Sequence, residues 1–149
     1  MALSFSSTAA HHRLEECNVS TNIIDHVEIP VADAQRSRRF YETALKPLGL
    51  SLVISIDPVR TPHGGARHGF GNNGYPRLWI HEEHGDKLPV HIAFAASDRA
   101  KVDAFYAAAI ANGGTDNGGP GVRERYHPTY YAAYVLDPDG NNIEAVCQE

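Results

Sequence analysis

The sequence predicts an α+β fold: two tandem βαβββ modules whose strands form a curved mixed sheet around a cavity. Three observations carry that prediction. The hydrophobic period runs two, then 3.6, then two again in the first half of the chain, and the second half repeats the order. A shift of 65 residues lays the second half on the first without a gap through strand, turn and helix. His26 falls on His91, Val27 on Ile92, Ile29 on Phe94, Asp33 on Asp98, Phe40-Tyr41 on Phe105-Tyr106, Ala44-Leu45 on Ala109-Ile110 and Gly49 on Gly114. Chance matches apolar positions readily, but hardly a His, an Asp, a Phe-Tyr pair and a terminal Gly together. The third observation is Asp137-Pro138-Asp139-Gly140, a tight-turn signal leading straight into a strand-like run. Pro138 presets φ there and Gly140 admits φ > 0.

The first module spans residues 22–84. From Ile23 to Val31, Val27, Ile29 and Val31 point one way and His26, Glu28 and Pro30 the other, as in a half-buried strand. Asp33 is placed to cap a helix from Ala34 to Leu45, whose stripe carries Phe40, Tyr41 and Ala44, and Pro47 and Gly49 stop it. Strands are expected at Leu50 to Ile56, Arg67 to Gly71 and Arg77 to Glu82, with Asn72-Asn73-Gly74 as a turn. The second module spans 90–148. It offers a strand at Val90 to Ala96, a cap at Asp98 and a helix from Arg99 to Asn112 stopped by Gly113-Gly114. Strands then follow at Val122 to His127, Tyr130 to Leu136 and Ile143 to Cys147. Residues 1–21 show no clear period and read as a flexible tail.

The 149 residues are 42% hydrophobic and 21% charged, which fits one ordinary globular domain with a sizeable core. A net charge of -5 argues against nucleic acid as a partner, and no run has the length of a membrane span. The start of the chain lacks the basic and apolar regions of a secretory signal. Cys17 and Cys147 have neither metal spacing nor a disulfide framework, so a cytoplasmic location is the expectation.

His26, His91 and Glu144 share the strand face opposite the aliphatic one. The aliphatic faces belong under the helices, which leaves the other faces to line a cavity. Two units related by a pseudo-twofold axis would bring equivalent positions together. Two imidazoles and one carboxylate converging there make a facial ligand set for a divalent metal such as Zn, Fe, Mn or Ni, with open positions for a small-molecule substrate. Tyr130 and His127 flank Pro128 in the second module and are candidate acids or bases beside that metal. Trp79, Glu28, Tyr126 and Arg125 are candidate substrate-pocket residues, and Arg123 shares with Arg125 the capacity to hold an anion. His63, His68 and His84 carry no pattern.

The double βαβββ order resembles the vicinal oxygen chelate superfamily, which includes glyoxalase I, extradiol dioxygenases, fosfomycin-resistance enzymes and bleomycin-resistance proteins. Asp25-His26-Val27 with the Phe40-Tyr41 helix resembles its first motif, Val90 to Phe94 its second, and Asp137 to Glu144 its third and most specific. The resemblance covers about residues 22–148. It implies His26, His91 and Glu144 as metal ligands and a homodimer as the assembly. It also implies a fourth ligand, a Glu in glyoxalase I proper, where the 65-residue offset puts Trp79. His81 shares the face of Trp79 and is the fallback donor. The expectation is a metalloenzyme of lyase, isomerase or ring-cleaving dioxygenase type that is not an efficient glyoxalase I. The alternative is a non-catalytic small-molecule binding or antibiotic-resistance protein of the same fold.

Overall fold

A computed structural model describes residues 23–62 and 64–149 of the chain. The tail over residues 1–21, with His11, His12 and Cys17, and the loop residue His63 lie outside the described residues. The first module runs β1 (Val27–Val31), α1 (Ala34–Ala44), β2 (Ser51–Ile56), β3 (Arg67–Asn72) and β4 (Tyr75–Glu82). The second runs β5 (His91–Ala95), α2 (Arg99–Ala111), β6 (Thr115–Asp116), β7 (Gly121–Val122), β8 (Tyr131–Leu136) and β9 (Asn142–Cys147). Each helix starts at the expected aspartate. Asp33 accepts from the Arg36 N–H and Asp98 from the Lys101 N–H, both at 2.9 Å, which satisfies one of the orphan donors of each first turn.

Both sheets are mixed. Their orders are β1-β4-β3-β2 and β5-β9-β8-β6, with β7 also paired to β8. The 65-residue offset survives in the pairing itself. Glu28 sits beside Trp79 and Ala93 beside Glu144 in the two parallel pairs. Gly69 sits beside Trp79 and Tyr134 beside Glu144 in the antiparallel ones. Register sets which face each side chain occupies, so the repeat is one of geometry as well as of sequence.

Within one chain the two sheets do not pair with each other. α1 packs on β3 and β4, α2 packs on β8 and β9, and the helices pack on one another. The layers therefore run sheet, helix, helix, sheet. One continuous core fills the middle, with Phe40, Tyr41, Phe70, Leu78 and Ile80 from the first module and Val102, Phe105, Val135 and Ile143 from the second. Each such side chain contributes about 1.5–3 kcal/mol by leaving water. The opposite faces of both sheets look outward, and β1 and β5 are left as sheet edges.

The turn over Asp137 to Gly140 has a larger part than ending a strand. Gly140 takes φ +85° as its position requires. Asp137 accepts from the backbone N–H of Asp139 and of Asn141, and from the Tyr41 hydroxyl of α1. Asp139 accepts from the Ala32 N–H and the Ser37 hydroxyl. The turn of the second module is thus clamped to the first helix.

Two expectations need correction. The strand expected at Val122 to His127 is only the two residues of β7, and Ile23 to His26 precede the first strand instead of belonging to it. After Val122 the chain closes on itself: the Arg123 N–H donates to Tyr130 O, and the Tyr126 and His127 N–H groups both donate to Arg123 O. Pro128 has no N–H to give a ladder, so the alternating aromatic pattern around it marks a loop and not a strand.

Candidate functional site

The outward face of the second sheet forms a cavity of about 760 Å³, lined by His91, Arg123, Arg125, Tyr126, Tyr130, Tyr134 and Glu144 among others. Glu144 sits mid-strand in β9 with only 2% of its surface exposed. A buried carboxylate is costly unless donors meet it. The Tyr130 hydroxyl donates to its Oε1 at 2.6 Å, and His91 Nε2 lies 3.1 Å from its Oε2. Burial, with the hydrogen bond to Glu144 next, holds the Tyr130 phenol well above the usual tyrosine range. Burial and the Glu144 charge raise Tyr134 as well. Both phenols therefore keep their protons at neutral pH, so Tyr130 is a donor and not a base there.

The His91 ring is oriented by its other nitrogen. Nδ1 is 3.1 Å from the backbone carbonyl of Asn142, and a carbonyl can only accept. Nδ1 therefore carries a proton, and in the neutral imidazole Nε2 presents a lone pair towards the lone pairs of Glu144 Oε2. Two acceptors 3.1 Å apart require a proton or a cation between them. That separation also suits two donors on one ion with bonds of about 2.1 Å each. One imidazole nitrogen and one carboxylate oxygen are donors that Zn, Fe, Mn and Ni all accept. The pair fits a divalent metal.

The remaining sequence-predicted residues are elsewhere. His26 is on the first sheet's side, half exposed, with its Nδ1 2.6 Å from Asp25. Among the described residues no group of three His, Cys, Asp or Glu side chains gathers to hold a metal, so the triad of His26, His91 and Glu144 is not assembled inside one chain. Glu28 accepts from Arg67 at 2.7 Å, and Arg67 lies over the Trp79 ring at 4.9 Å. His81 stands between two carboxylates: its Nε2 is 2.8 Å from Glu83, while its buried Nδ1, 3.4 Å from Glu28, has no hydrogen-bond partner among the described residues. His127 bonds Thr129 and does not line the cavity of Glu144. The structure thus unites His91, Glu144, Tyr130, Tyr126 and Arg125 on one face, and places His26, Glu28 and Trp79 with the other sheet.

Sequence reasoning missed Tyr134 and understated Arg123. Tyr134 stacks near His91, with centroids 6.4 Å apart, and carries the Arg123 guanidinium over its ring at 5.4 Å. The repeat held a usable signal, because Tyr134 is the offset partner of Gly69, the neighbour of Trp79.

The chain is similar to a family profile and to solved structures. The profile described as "Glyoxalase/Bleomycin resistance protein/Dioxygenase superfamily" matches residues 23–145. A glyoxalase/bleomycin resistance protein from Albidiferax ferrireducens is 30% identical, with 84% of this chain and 98% of that one covered and a TM-score of 0.69. A family enzyme of the same three-part description from Burkholderia phytofirmans is 19% identical over 85% and 98% of the two chains, at a TM-score of 0.62, and speaks to the fold alone. A point variant of glyoxalase I from Zea mays is 25% identical over 83% of this chain but only 45% of its own, at a TM-score of 0.62. No curated protein matches by sequence. No helix among the described residues is long and apolar enough to cross a membrane.

Proposed function

The chain belongs to the glyoxalase/bleomycin resistance protein/dioxygenase superfamily, and from that premise we propose that it is a metalloenzyme acting on a small oxygen-bearing substrate at a site shared between two copies. The carrying observation is the 3.1 Å approach of His91 Nε2 to Glu144 Oε2, with His91 Nδ1 beside the Asn142 carbonyl. His91 and Glu144 of one copy hold the divalent ion, and His26 of a second copy completes the set. The outward faces and the unpaired β1 and β5 edges of a single chain support that assembly. Edge strands left open are ready templates for pairing with another chain, and a twofold dimer would bring the first module of each copy against the second module of the other.

When bound, the ion supplies Lewis acidity towards a substrate oxygen. The chain's own residues do the rest. Tyr130 keeps its proton on Oη and fixes Glu144 through Oε1, which leaves Oε2 facing His91. Asn142 O fixes the tautomer of His91. The reaction falls in the lyase, isomerase or ring-cleaving dioxygenase types. A non-catalytic binding protein is the second reading, favoured by one observation: no base other than Glu144 itself stands by the His91–Glu144 pair among the described residues.

The test is metal content in protein purified without a histidine tag. His26→Ala and Glu144→Gln are each expected to lose the ion. Unfolded together and refolded as a mixture, they regain about a quarter of the wild-type sites, because half the dimers are mixed and each mixed dimer rebuilds one of two sites. No recovery on mixing means that the site is not shared. Retention of metal by Glu144→Gln means that the ligand assignment is wrong.

A further inference from the structure

Arg123 is the most elaborately seated cation in the cavity. Its Nη2 donates to Gly119 O at 2.6 Å, and its guanidinium lies over the Tyr134 ring. The loop that wraps it, Gly118-Gly119-Pro120-Gly121, has glycine where a side chain would crowd it. A Cβ on Gly121 would come within 3.0 Å of Nη1, and one on Gly118 within 3.5 Å of Nη2. Arg125 reaches the same cavity from the next turn of the loop, over the Tyr126 ring at 4.7 Å and bonded to the Tyr126 hydroxyl at 3.0 Å. Neither arginine forms an ion pair with a carboxylate among the described residues, whereas Arg36, Arg38 and Arg67 each do. Among the described residues Glu144 is the only carboxylate lining the cavity, and it is already engaged by His91 and Tyr130. The chain carries a net charge of -5, so this wall is a local reversal of sign.

We infer that the substrate is an organic oxyanion, and that Arg123 and Arg125 bind its carboxylate or phosphoryl group while its body lies against Tyr126 and Tyr134 with its reacting end towards His91 and Glu144. The inference rests on the reading of this cavity as the substrate site. A guanidinium presents paired N–H groups in a plane that matches either oxyanion. Stacking on a tyrosine face fixes that plane before the ligand arrives, which lowers the ordering cost of binding. The glycine loop serves the same end from below.

Binding is measured by protein-observed NMR on the full chain, as purified and after dialysis against chelator, with three probes: benzoate, phenylphosphonate and the neutral benzamide. At least one of the two anions is expected to bind roughly 10- to 100-fold more tightly than benzamide, the range that hydrogen bonds to a charged group give. Arg123→Met, checked for an unchanged melting temperature, is expected to abolish the preference, and Arg123→Lys to restore part of it. Where Arg123→Met does not fold, Arg125→Met and the salt dependence of the wild type decide in the same sense. Equal binding of benzamide and both anions, or no binding of any probe at about 10 mM, a concentration that reaches millimolar affinities, overturns the inference. A preference that persists after chelation supports the arginines as its source. A preference that disappears on chelation assigns the oxyanion to the metal, which overturns this inference and leaves the metal reading standing. A preference present in protein that never carried metal does the reverse.

Discussion

The outward faces of the two sheets are superposable in register and opposite in chemistry. Where the first has Trp79 beside Glu28 and Gly69, the second has Glu144 beside Ala93 and Tyr134. Each set is internally compensated. The Trp79 ring needs a small neighbour: a Cβ on Gly69 would come within 3.2 Å of its Cε3. Glu144 needs a donor, which the Tyr130 hydroxyl supplies at Oε1, while His91 Nε2 faces its Oε2. Backbone pairing fixes where a side chain points, and leaves its identity free provided that its neighbours across the strands change with it. A repeat can therefore hold one geometry and put a metal ligand in one copy and an aromatic wall in the other.

The largest effect that would break this comparison comes from reversing it. Wild-type protein, assayed with methylglyoxal and glutathione with Zn²⁺, Ni²⁺ and Fe²⁺ supplied in turn, is expected to turn over far below the enzyme median of about 10 per second. The resemblance to glyoxalase I implies that proton transfer between adjacent carbons there uses a strand carboxylate from each module, and at that position the first module of this chain has an indole. Trp79→Glu replaces it, and a gain of at least about 100-fold is the lower end of what a positioned acid–base group supplies. Efficient turnover by the wild type would mean that Trp79 does not mark the missing function. No gain in Trp79→Glu, with the fold intact, would mean that Arg67 captures the new carboxylate from the position it holds over the indole.

A smaller effect sharpens the same contrast on the second face. Tyr130→Phe removes the donor to Glu144 Oε1 and changes no ligand. Leaving one buried carboxylate oxygen without its donor costs about 1–3 kcal/mol of stability. Loss of an orienting hydrogen bond typically weakens metal affinity by about 10- to 100-fold. Both readouts, a denaturation midpoint and a metal titration, are expected to move together. Unchanged metal affinity would show that His91 alone orients Glu144.

The sequence carried the fold well because a fold is set by periods, caps and registers, and these are local or repeat at a fixed spacing. The offset that aligned His26 with His91 also relates the register of β1 on β4 to that of β5 on β9. The site was only half legible. Glu144 and His91 come together because they lie on one module, so strand alternation was enough to gather them, while Tyr130 was singled out only for its place beside Pro128. His26 was grouped with them by symmetry alone, and symmetry does not say whether equivalent faces meet within a chain or between chains. That is decided by the α1–α2 packing and by the Asp137–Tyr41 clamp, whose partners are 96 residues apart. His127 was misjudged because alternation of aromatics reads the same in a strand as in a loop closed around Pro128.

The smallest effect concerns the covered faces, where the buried His68 of β3 stands at the position equivalent to the buried Ala133 of β8. His68 is 3% exposed, its Nδ1 bonds Ser55 Oγ at 2.8 Å, and its Nε2 has no partner among the described residues. Burial lowers its pKa, and the Arg38 charge adds to this against the opposing pull of Glu42 and Glu82. The neutral ring is thus the folded form. The sign follows from proton linkage. Above the unfolded value of about 6.5 the ring is neutral in both states and pH has no effect through it. As pH falls below that value the unfolded chain takes up a proton that the folded chain refuses, and stability falls until the depressed folded pKa is reached. One such group changes stability by at most about 1.4 kcal/mol per pH unit. Urea denaturation at pH 7.5 and 5.5 is therefore expected to show a loss on acidification that is smaller in His68→Phe, which keeps a ring in the site and removes the titration. Equal losses in the two proteins would place the acid sensitivity elsewhere and make His68 a core residue no different in kind from Ala133.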